Sequence, residues 1–180
     1  MLSGGASGAV ALWDLWKPTP REPIAKSPRK GGHKFAVSAV SFYPVDPGMF
    51  VTGSFDTTVK VWDSEEMEVA HTFSLEESVF DIAMDPKGRH TLVAASAGHN
   101  VRLLDLASGS PMVGLMGLPK GANATAVAWS PKDEHSCAAG SDDGRVAIWD
   151  KRVPTKPLMW VSAKNERVDK TDKRNRGHIG

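Results

Sequence analysis

Four stretches of this chain share a pattern in which an apolar or β-branched run ends on Trp or Leu followed by Asp. They read Ala11-Leu12-Trp13-Asp14, Val59-Lys60-Val61-Trp62-Asp63, Val101-Arg102-Leu103-Leu104-Asp105 and Val146-Ala147-Ile148-Trp149-Asp150. Successive Trp or Leu positions in this alignment lie 49, 42 and 45 residues apart. Self-similarity at such a period indicates a chain of repeated structural units, and it decides the fold before any local pattern does.

The second unit is the most complete and predicts four short antiparallel strands. Alternating or β-branched segments at 35–42, 50–54, 59–62 and 69–73 are separated by turn residues such as Pro44, Pro47 and Gly48. Four strands in a period of forty-odd residues that ends in Trp-Asp are typical of one blade of a WD-repeat β-propeller. The predicted fold class is therefore all-β.

The same order of strands divides residues 1–180 into four units and two basic loops. The units cover residues 1–15, 32–75, 76–116 and 117–162, and the loops cover 16–34 and 163–176. A propeller closes with four to eight blades, and partial periods bracket the complete ones here. We therefore expect a partial WD-repeat propeller, a fragment of a larger ring. Each basic loop is expected to be a long connector or to include an irregular outer strand.

The composition is that of an ordinary globular protein. Hydrophobic residues make up 41% of the 180 residues and charged residues 24%, with a net charge of +1. This balance gives no global electrostatic reason to expect nucleic acid or a membrane as the main partner. One cysteine, Cys137, excludes an internal disulfide. Because the chain also lacks a long apolar run and a secretory signal pattern, we expect a soluble intracellular protein.

Unit two carries the residues with which WD repeats lock a blade through a hydrogen-bonded tetrad. They are His33, Ser54, Asp56 and Trp62, with Thr52 as an alternative to Ser54. A closed chain of hydrogen bonds satisfies each of these polar groups when they are buried. A Ser-His-Asp catalytic set is the competing interpretation. No nucleophile elbow or oxyanion loop accompanies it, so we predict a structural tetrad and a protein that is not an enzyme.

The other polar residues indicate no chemistry of their own. Unit four keeps Ser141, Asp143 and Trp149 but has Lys120 or a neighbour where the histidine is expected. Cys137, although close to His135, is expected to be a small core residue. We predict no cofactor and no metal site, because the remaining histidines lack metal-ligand spacing; they are His71, His90 and His99.

The last unit ends on Trp149-Asp150-Lys151-Arg152, which places an arginine two residues after the Trp-Asp pair. The third strand leaves the blade at this point, so Arg152 is expected to reach one rim of the disc. There it can make bidentate hydrogen bonds with carboxylates or carbonyls of a partner. We predict these four residues as a partner-binding site. The two basic loops are interpreted as solvated connectors, with contact to nucleic acid or an acidic surface as the alternative.

Several strings resemble the Cockayne syndrome WD-repeat protein (CSA) family and its fungal relatives. They are residues 1–8 (Met-Leu-Ser-Gly-Gly-Ala-Ser-Gly), 42–50 (Phe-Tyr-Pro-Val-Asp-Pro-Gly-Met-Phe), 54–63 (Ser-Phe-Asp-Thr-Thr-Val-Lys-Val-Trp-Asp) and 73–80 (Phe-Ser-Leu-Glu-Glu-Ser-Val-Phe). The likeness continues through residues 128–131 and 141–152. The Trp-Asp-x-Arg pattern at 149–152 also resembles the signature of substrate receptors that dock on the propeller adaptor of cullin-4 RING ubiquitin ligases.

This resemblance implies a truncated member of a family of seven-bladed propellers that recognise substrates for a cullin-4 ligase in transcription-coupled nucleotide excision repair. The implied partners are the ligase adaptor, contacted by Arg152, and proteins associated with repair and RNA polymerase II. The implied location is the nucleus, without direct nucleic-acid binding and without membrane attachment. The alternative is a WD-repeat scaffold of another nuclear complex, in chromatin or RNA processing.

Overall fold

A computed structural model describes residues 1–16, 22–28, 30–87, 91–96, 101–115 and 118–162. Within these ranges the chain forms fifteen strands arranged as four antiparallel sheets. No helix in the described ranges is long and apolar enough to cross a membrane.

Each sheet is one blade, and the blades follow one another along the sequence. Blade one contains β1 (Leu2–Gly4), β2 (Val10–Leu12) and β3 (Ala25–Lys26), and blade two contains β4 (Val37–Phe42), β5 (Met49–Ser54), β6 (Thr58–Asp63) and β7 (Val69–Ser74). Blade three contains β8 (Val79–Met84), β9 (Thr91–Ser96), β10 (Val101–Asp105) and β11 (Ser110–Leu115). Blade four contains β12 (Ala124–Trp129), β13 (Ser136–Ser141), β14 (Arg145–Asp150) and β15 (Met159–Ser162).

The Trp-Asp and Leu-Asp pairs end the third strand of the four-stranded blades. Asp63, Asp105 and Asp150 are the last residues of β6, β10 and β14. In blade one, β2 ends at Leu12, one residue before Trp13. The all-β, partial WD-repeat propeller predicted from the period is therefore confirmed, since the repeated pair marks the same place in each sheet.

The basic segment 16–34 contributes an outer strand to blade one. Strand β3 pairs with β2 in an antiparallel register that places Ala11 opposite Lys26 and Leu12 opposite Ala25. Of the two alternatives for this segment, the outer strand is what the structure contains, so blade one extends past residue 15. The second basic loop, 163–176, lies outside the described residues.

Close packing of successive sheets holds the blades together. On β1 of blade one, a Cβ added to Gly4 would lie 2.5 Å from Cγ1 of Val37, on the first strand of blade two. The same relation recurs one blade later, where a Cβ on Gly53 would lie 2.7 Å from Cγ1 of Val79. These glycines let the valines of the next blade approach the sheet directly, because only a residue without a side chain leaves that space.

Apolar side chains fill the three junctions between blades. One cluster, which includes Val10, Phe50 and Trp62, joins blades one and two. A second cluster joins blades two and three, and a third joins blades three and four. Each fully buried large side chain contributes about 1.5–3 kcal/mol relative to its exposed state, so these junctions rather than single sheets hold the structure together.

Candidate functional site: the blade-two latch and the Trp-Asp rim

The predicted tetrad of blade two closes through Thr52. The indole Nε1 of Trp62 donates to Thr52 Oγ1 at 2.8 Å, and Thr52 Oγ1 lies 2.6 Å from His33 Nε2. On the other side of the ring, His33 Nδ1 lies 3.0 Å from Oδ2 of Asp56. Three of the four predicted residues therefore come together, and the threonine hydroxyl connects them. We call His33, Thr52, Asp56 and Trp62 the blade-two latch.

The hydrogen-bond directions of this latch follow from its members. Since Trp62 Nε1 can only donate, the Thr52 oxygen accepts that bond, and the Thr52 hydroxyl donates its own hydrogen bond to the unprotonated His33 Nε2. The neutral imidazole then donates from Nδ1 to Asp56, which satisfies every group. Burial lowers the pKa of His33 below 6.5 despite the Asp56 carboxylate, which favours this neutral form.

The Asp56 carboxylate stays ionised because its hydrogen bonds outweigh its desolvation. Burial by itself would raise its pKa, but the Thr58 hydroxyl, the Lys34 amide and the His33 ring donate to the carboxylate and lower its pKa overall.

Ser54 is not a member of the latch, although the sequence analysis predicted it for the tetrad and gave Thr52 as the alternative. Its Oγ donates to the carbonyl of Phe35 at 3.2 Å and accepts the Asp56 amide at 3.1 Å. Ser54 lies at the end of β5 beside the turn, whereas Thr52 lies two residues earlier, between the imidazole and the indole. Thr52 is also fully buried, so its hydroxyl serves the latch and is closed to a substrate.

Blade one has a partial version of the latch that the sequence reading missed. The Trp13 indole donates to Ser3 Oγ at 2.8 Å, as Trp62 donates to Thr52. In both blades the hydroxyl residue precedes the tryptophan by ten positions, and this spacing is the signal that would have found it. The same position holds Ala139 in blade four, which has no hydroxyl to offer.

The aspartate that ends each Trp-Asp or Leu-Asp pair builds the same turn in all four blades. Its Oδ1 accepts the backbone amide of the residue two positions later, at distances of 2.8–3.0 Å. These aspartates therefore present four side chains at equivalent places along one edge of the propeller, namely Trp16, Glu65, Ala107 and Arg152. We call this set of four residues the Trp-Asp rim.

Arg152 is the exposed cation of this rim, and Asp150 orients it. The guanidinium donates from Nε to Asp150 Oδ1 at 2.9 Å and from Nη2 to Oδ2 at 2.5 Å, while its side chain remains 64% exposed. The side-chain and backbone hydrogen bonds from Arg152 lower the pKa of Asp150 to about 2. The pair uses the Nε–Nη2 edge of the guanidinium, and the Nη1 edge takes no part in it.

The structure gives Trp149 and Lys151 other roles than direct contact with a partner. Trp149 is fully buried in the junction between blades three and four, so its place among the predicted partner-binding residues is wrong. Lys151 extends toward blade three, where its Nζ lies 3.8 Å from Oδ2 of Asp85 and 5.4 Å from the centroid of the Trp129 ring. Asp85, which the sequence reading did not single out, is 1% exposed.

The remaining candidates have structural settings. Burial raises the pKa of the Cys137 thiol to about 12, so it stays protonated inside the core. His71 packs edge-on against Phe73 at 4.6 Å between ring centroids. His90 and His99 lie outside the described residues. The described part of the chain contains no group of three or more side chains that could hold a metal ion.

Comparison with known proteins agrees with this geometry. The model of the WD domain, G-beta repeat, matches residues 26–63 and 119–150. WD repeat-containing protein ATCSA-1 of Arabidopsis thaliana is 36% identical over 165 residues, which cover 84% of this chain and 36% of that protein. Ribosome biogenesis protein WDR12 homologs of Drosophila persimilis and Drosophila virilis are 33% and 34% identical over 150 residues, covering 82% of this chain and 35% of each.

The chain thus spans little more than a third of the length of these curated relatives. The architecture of a partial propeller is indicated by three features that agree: the sequence repeats, the antiparallel blades and the turns at the Trp-Asp pairs. The chain carries WD repeats at residues 26–63 and 119–150, its strands form part of a β-propeller, and its sequence is similar to that of ATCSA-1.

Proposed function

We propose that this protein is a non-catalytic substrate-recognition subunit of a cullin-4 RING E3 ubiquitin ligase that acts in transcription-coupled nucleotide excision repair in the nucleus. One surface docks on the propeller adaptor of the ligase, and another engages proteins associated with repair and RNA polymerase II. The similarity to a CSA-named protein supports this proposal. Arg152 on the Trp-Asp rim is the observation that carries it.

Arg152 suits docking because its guanidinium is oriented before a partner arrives. The fork formed with Asp150 restricts the side chain, so less conformational entropy is lost on binding. The lowered pKa of Asp150 keeps this carboxylate ionised throughout the physiological range, so the orientation does not change with pH there. A carboxylate or carbonyl of the adaptor can then accept from the Nη1 edge.

The test is a titration of the full chain with purified adaptor, in which binding is measured by isothermal calorimetry or biolayer interferometry. Arg152→Ala is expected to weaken binding about tenfold or more, as for an arginine at the centre of an interface. Arg152→Lys is expected to recover only part of the affinity, because lysine keeps the charge but not the fork.

Arg145→Ala is the matched control. Arg145 is 52% exposed and pairs with Asp143, two residues before it, at 3.2 Å, but it lies at the opposite end of β14. Its loss is expected to leave adaptor binding unchanged. Equal affinity of wild type and Arg152→Ala for the adaptor would show that Arg152 does not contribute to docking.

The second candidate is a WD-repeat scaffold of another nuclear complex, in chromatin or RNA processing. The similarity to proteins named for ribosome biogenesis favours it. This scaffold would not bind the ligase adaptor, so the same titration separates the two functions: no binding by the wild-type chain supports the scaffold.

A further inference from the structure

Ser27, at the end of β3, differs from its counterpart in blade two. Its amide donates to the Val10 carbonyl at 2.8 Å, and its Oγ accepts the Val10 amide at 2.9 Å. In blade two, the residue that pairs with Val59, 49 positions after Val10, is Phe73. The Phe73 side chain is 3% exposed, in the junction with blade three. A serine at this place in blade one leaves unfilled the room that an aromatic ring takes in blade two.

A cavity of about 450 Å³ lies beside Ser27. It is bordered by the end of β3, by the turn between β1 and β2, and by the loop that leads to blade two; its lining includes Ser7, Ala9, Lys26, Ser27 and His33. We call it the Ser27 cavity. A phosphoryl group has three terminal oxygens and takes the room of about four water molecules, or about 120 Å³. The cavity therefore has room for such a group.

The Ser27 cavity holds donors that lack acceptors. The Lys26 ammonium lines it and forms no ion pair with a described residue, and the Ser7 hydroxyl and the Ala9 amide have no hydrogen-bond partner among the described residues. The two ring nitrogens of His33 are already used in the blade-two latch. A cation, a hydroxyl and an amide around one polar space suit a phosphate, because its oxygens are strong acceptors.

The Ser27 hydroxyl can take a phosphoryl group without losing a hydrogen bond. Its Oγ accepts the Val10 amide, but its own hydrogen donates to no acceptor in the described part of the chain. Phosphorus can replace that hydrogen while Oγ stays beside the amide. Because the Val10 amide occupies one side of Oγ, the phosphorus takes the side that faces the cavity.

The sequence and the position of Ser27 suit a protein kinase that requires a proline after its target. Pro28 follows Ser27 directly, and Lys30 is the third residue after it. Strand β3 is the outermost strand of its sheet and only two residues long, and Lys26, Pro28 and Lys30 are exposed. A short edge strand opens at low cost, so a kinase can bind this segment in an extended form.

We propose that Ser27 is a phosphorylation site of a proline-directed protein kinase, and that its phosphate occupies the Ser27 cavity against Lys26. In this reaction Ser27 Oγ attacks the γ-phosphorus of ATP, the new Oγ–P bond replaces the bond to departing ADP, and the hydroxyl proton goes to solvent. The phosphate carries about 1.5–2 negative charges at pH 7 and joins the end of β3 to the turn between β1 and β2. This site goes beyond the proposed function, because it involves neither Arg152 nor the ligase adaptor.

The first experiment treats the folded full chain with a purified cyclin-dependent kinase and ATP, and locates the phosphate by mass spectrometry. Incorporation is expected at Ser27 and is expected to be lost in Ser27→Ala. Thr19 is the matched site in the same chain, since it also precedes a proline but has Glu22 in place of a lysine three residues later. Thr19 is expected to be modified far less than Ser27.

A synthetic peptide of residues 22–34 is treated in parallel and is expected to be phosphorylated as well. Phosphorylation of the peptide but not of the full chain would show that the fold hides Ser27. An unmodified peptide would show that the sequence is not a substrate of this kinase class. Either result would overturn the proposal.

The second experiment follows the phosphorus NMR signal of the phosphorylated full chain against pH. The second pKa of phosphoserine in water is about 6, and the Lys26 ammonium is expected to lower this pKa by about one. In phosphorylated Lys26→Met the phosphate pKa is expected to return toward that of free phosphoserine. Lys34→Met is the matched control, because Lys34 is also exposed but does not line the cavity, and it is expected to leave the phosphate pKa lowered.

The comparison isolates the contact with Lys26. His33 also lines the cavity but is present in all three chains, so its titration cancels. Because Lys26 is exposed, the melting temperature of unphosphorylated Lys26→Met is expected to match the wild type. The same phosphate pKa in wild type and Lys26→Met would show that the phosphate lies outside the cavity, and this would overturn the proposed contact.

Discussion

Blades two and four have the same strand order but place their polar groups differently. In blade two, His33, Thr52, Asp56 and Trp62 form one buried chain of hydrogen bonds inside the blade. In blade four, the position of Thr52 is Ala139 and that of His33 is Lys120, as the strand registers of the two blades show. Blade four therefore has a buried tryptophan without the latch that surrounds it in blade two.

Blade four is fastened to its neighbour instead. Its Val127 amide donates to Asp81 Oδ2 at 2.9 Å, and its Trp129 indole donates to the Ala83 carbonyl at 2.9 Å. Lys151 adds the ion pair with buried Asp85. The polar groups of blade four thus hold the junction with blade three, and the last residue of the motif, Arg152, remains at the surface.

The difference shows that a blade of the same shape can be held from within or from its side. An internal latch satisfies the buried polar groups of a blade within that blade. A blade held from its side depends on the junction, and the turn after its third strand can carry a binding residue. The following predictions test this division.

The largest effect is expected from Thr52→Val, which keeps the shape of the side chain but removes the hydroxyl. Trp62 Nε1 and His33 Nε2 would both lose their partner in the interior. We expect the free energy of unfolding to fall by about 2–4 kcal/mol, measured by urea denaturation. Ser54→Ala is the control and should cost about 1 kcal/mol. Equal losses in the two variants would contradict the assignment of Thr52 to the latch.

A smaller effect is expected from Lys151→Met, which leaves the buried Asp85 carboxylate without its counter-ion. We expect a loss of about 1–3 kcal/mol, below the range for fully buried pairs because Lys151 is 19% exposed. The matched control is Lys87→Met at the same junction, where Lys87 is 48% exposed and lies 3.6 Å from Glu134; its loss should be within about 0.5 kcal/mol. Similar losses in both variants would show that Lys151 does not fasten blade four.

The effect of pH is expected to arise from the blade-two latch. Since burial lowers the pKa of His33 in the folded state below 6.5, the unfolded chain takes up a proton first as the pH falls. Stability from this group is therefore complete above about pH 6.5 and is lost as the pH falls toward the folded pKa. The lowered pKa of Asp56 adds a further loss in stronger acid, below its ordinary value of 3.8.

The measurement compares the urea concentration at the midpoint of unfolding for wild type and His33→Gln, from neutral to mildly acidic pH. The other five histidines are present in both chains, so their contributions cancel. The pH dependence of stability between neutrality and mild acid should decrease in His33→Gln. The same slope in both chains would show that His33 does not carry the effect.

The fold could be predicted from the sequence because it depends on a repeated pattern. The Trp-Asp and Leu-Asp pairs, with their alternating strands and turn residues, mark the third strand of each blade in every full unit. The latch was predicted in part, since His33, Asp56 and Trp62 follow from the repeat. The sequence could not decide whether Ser54 or Thr52 supplies the hydroxyl, because both side chains lie on the same face of β5.

The errors concern direction and depth, which a linear pattern does not contain. Residues 149–152 are adjacent in sequence, but the end of the strand sends Trp149 into the core, Lys151 across the junction and Arg152 into solvent. Asp85 could not be found as the partner of Lys151, because the two residues meet only when blades three and four pack together.

The sequence alone therefore determined the class of fold, the order of the strands and the places where turns present side chains, because these depend on local periodicity and on hydrogen bonds between near neighbours. Only the tertiary structure decided which hydroxyl closes the latch, which lysine holds a junction and which side chains of the Trp-Asp rim face solvent. Those outcomes depend on distances between separate blades, and such distances are set by packing rather than by spacing along the chain.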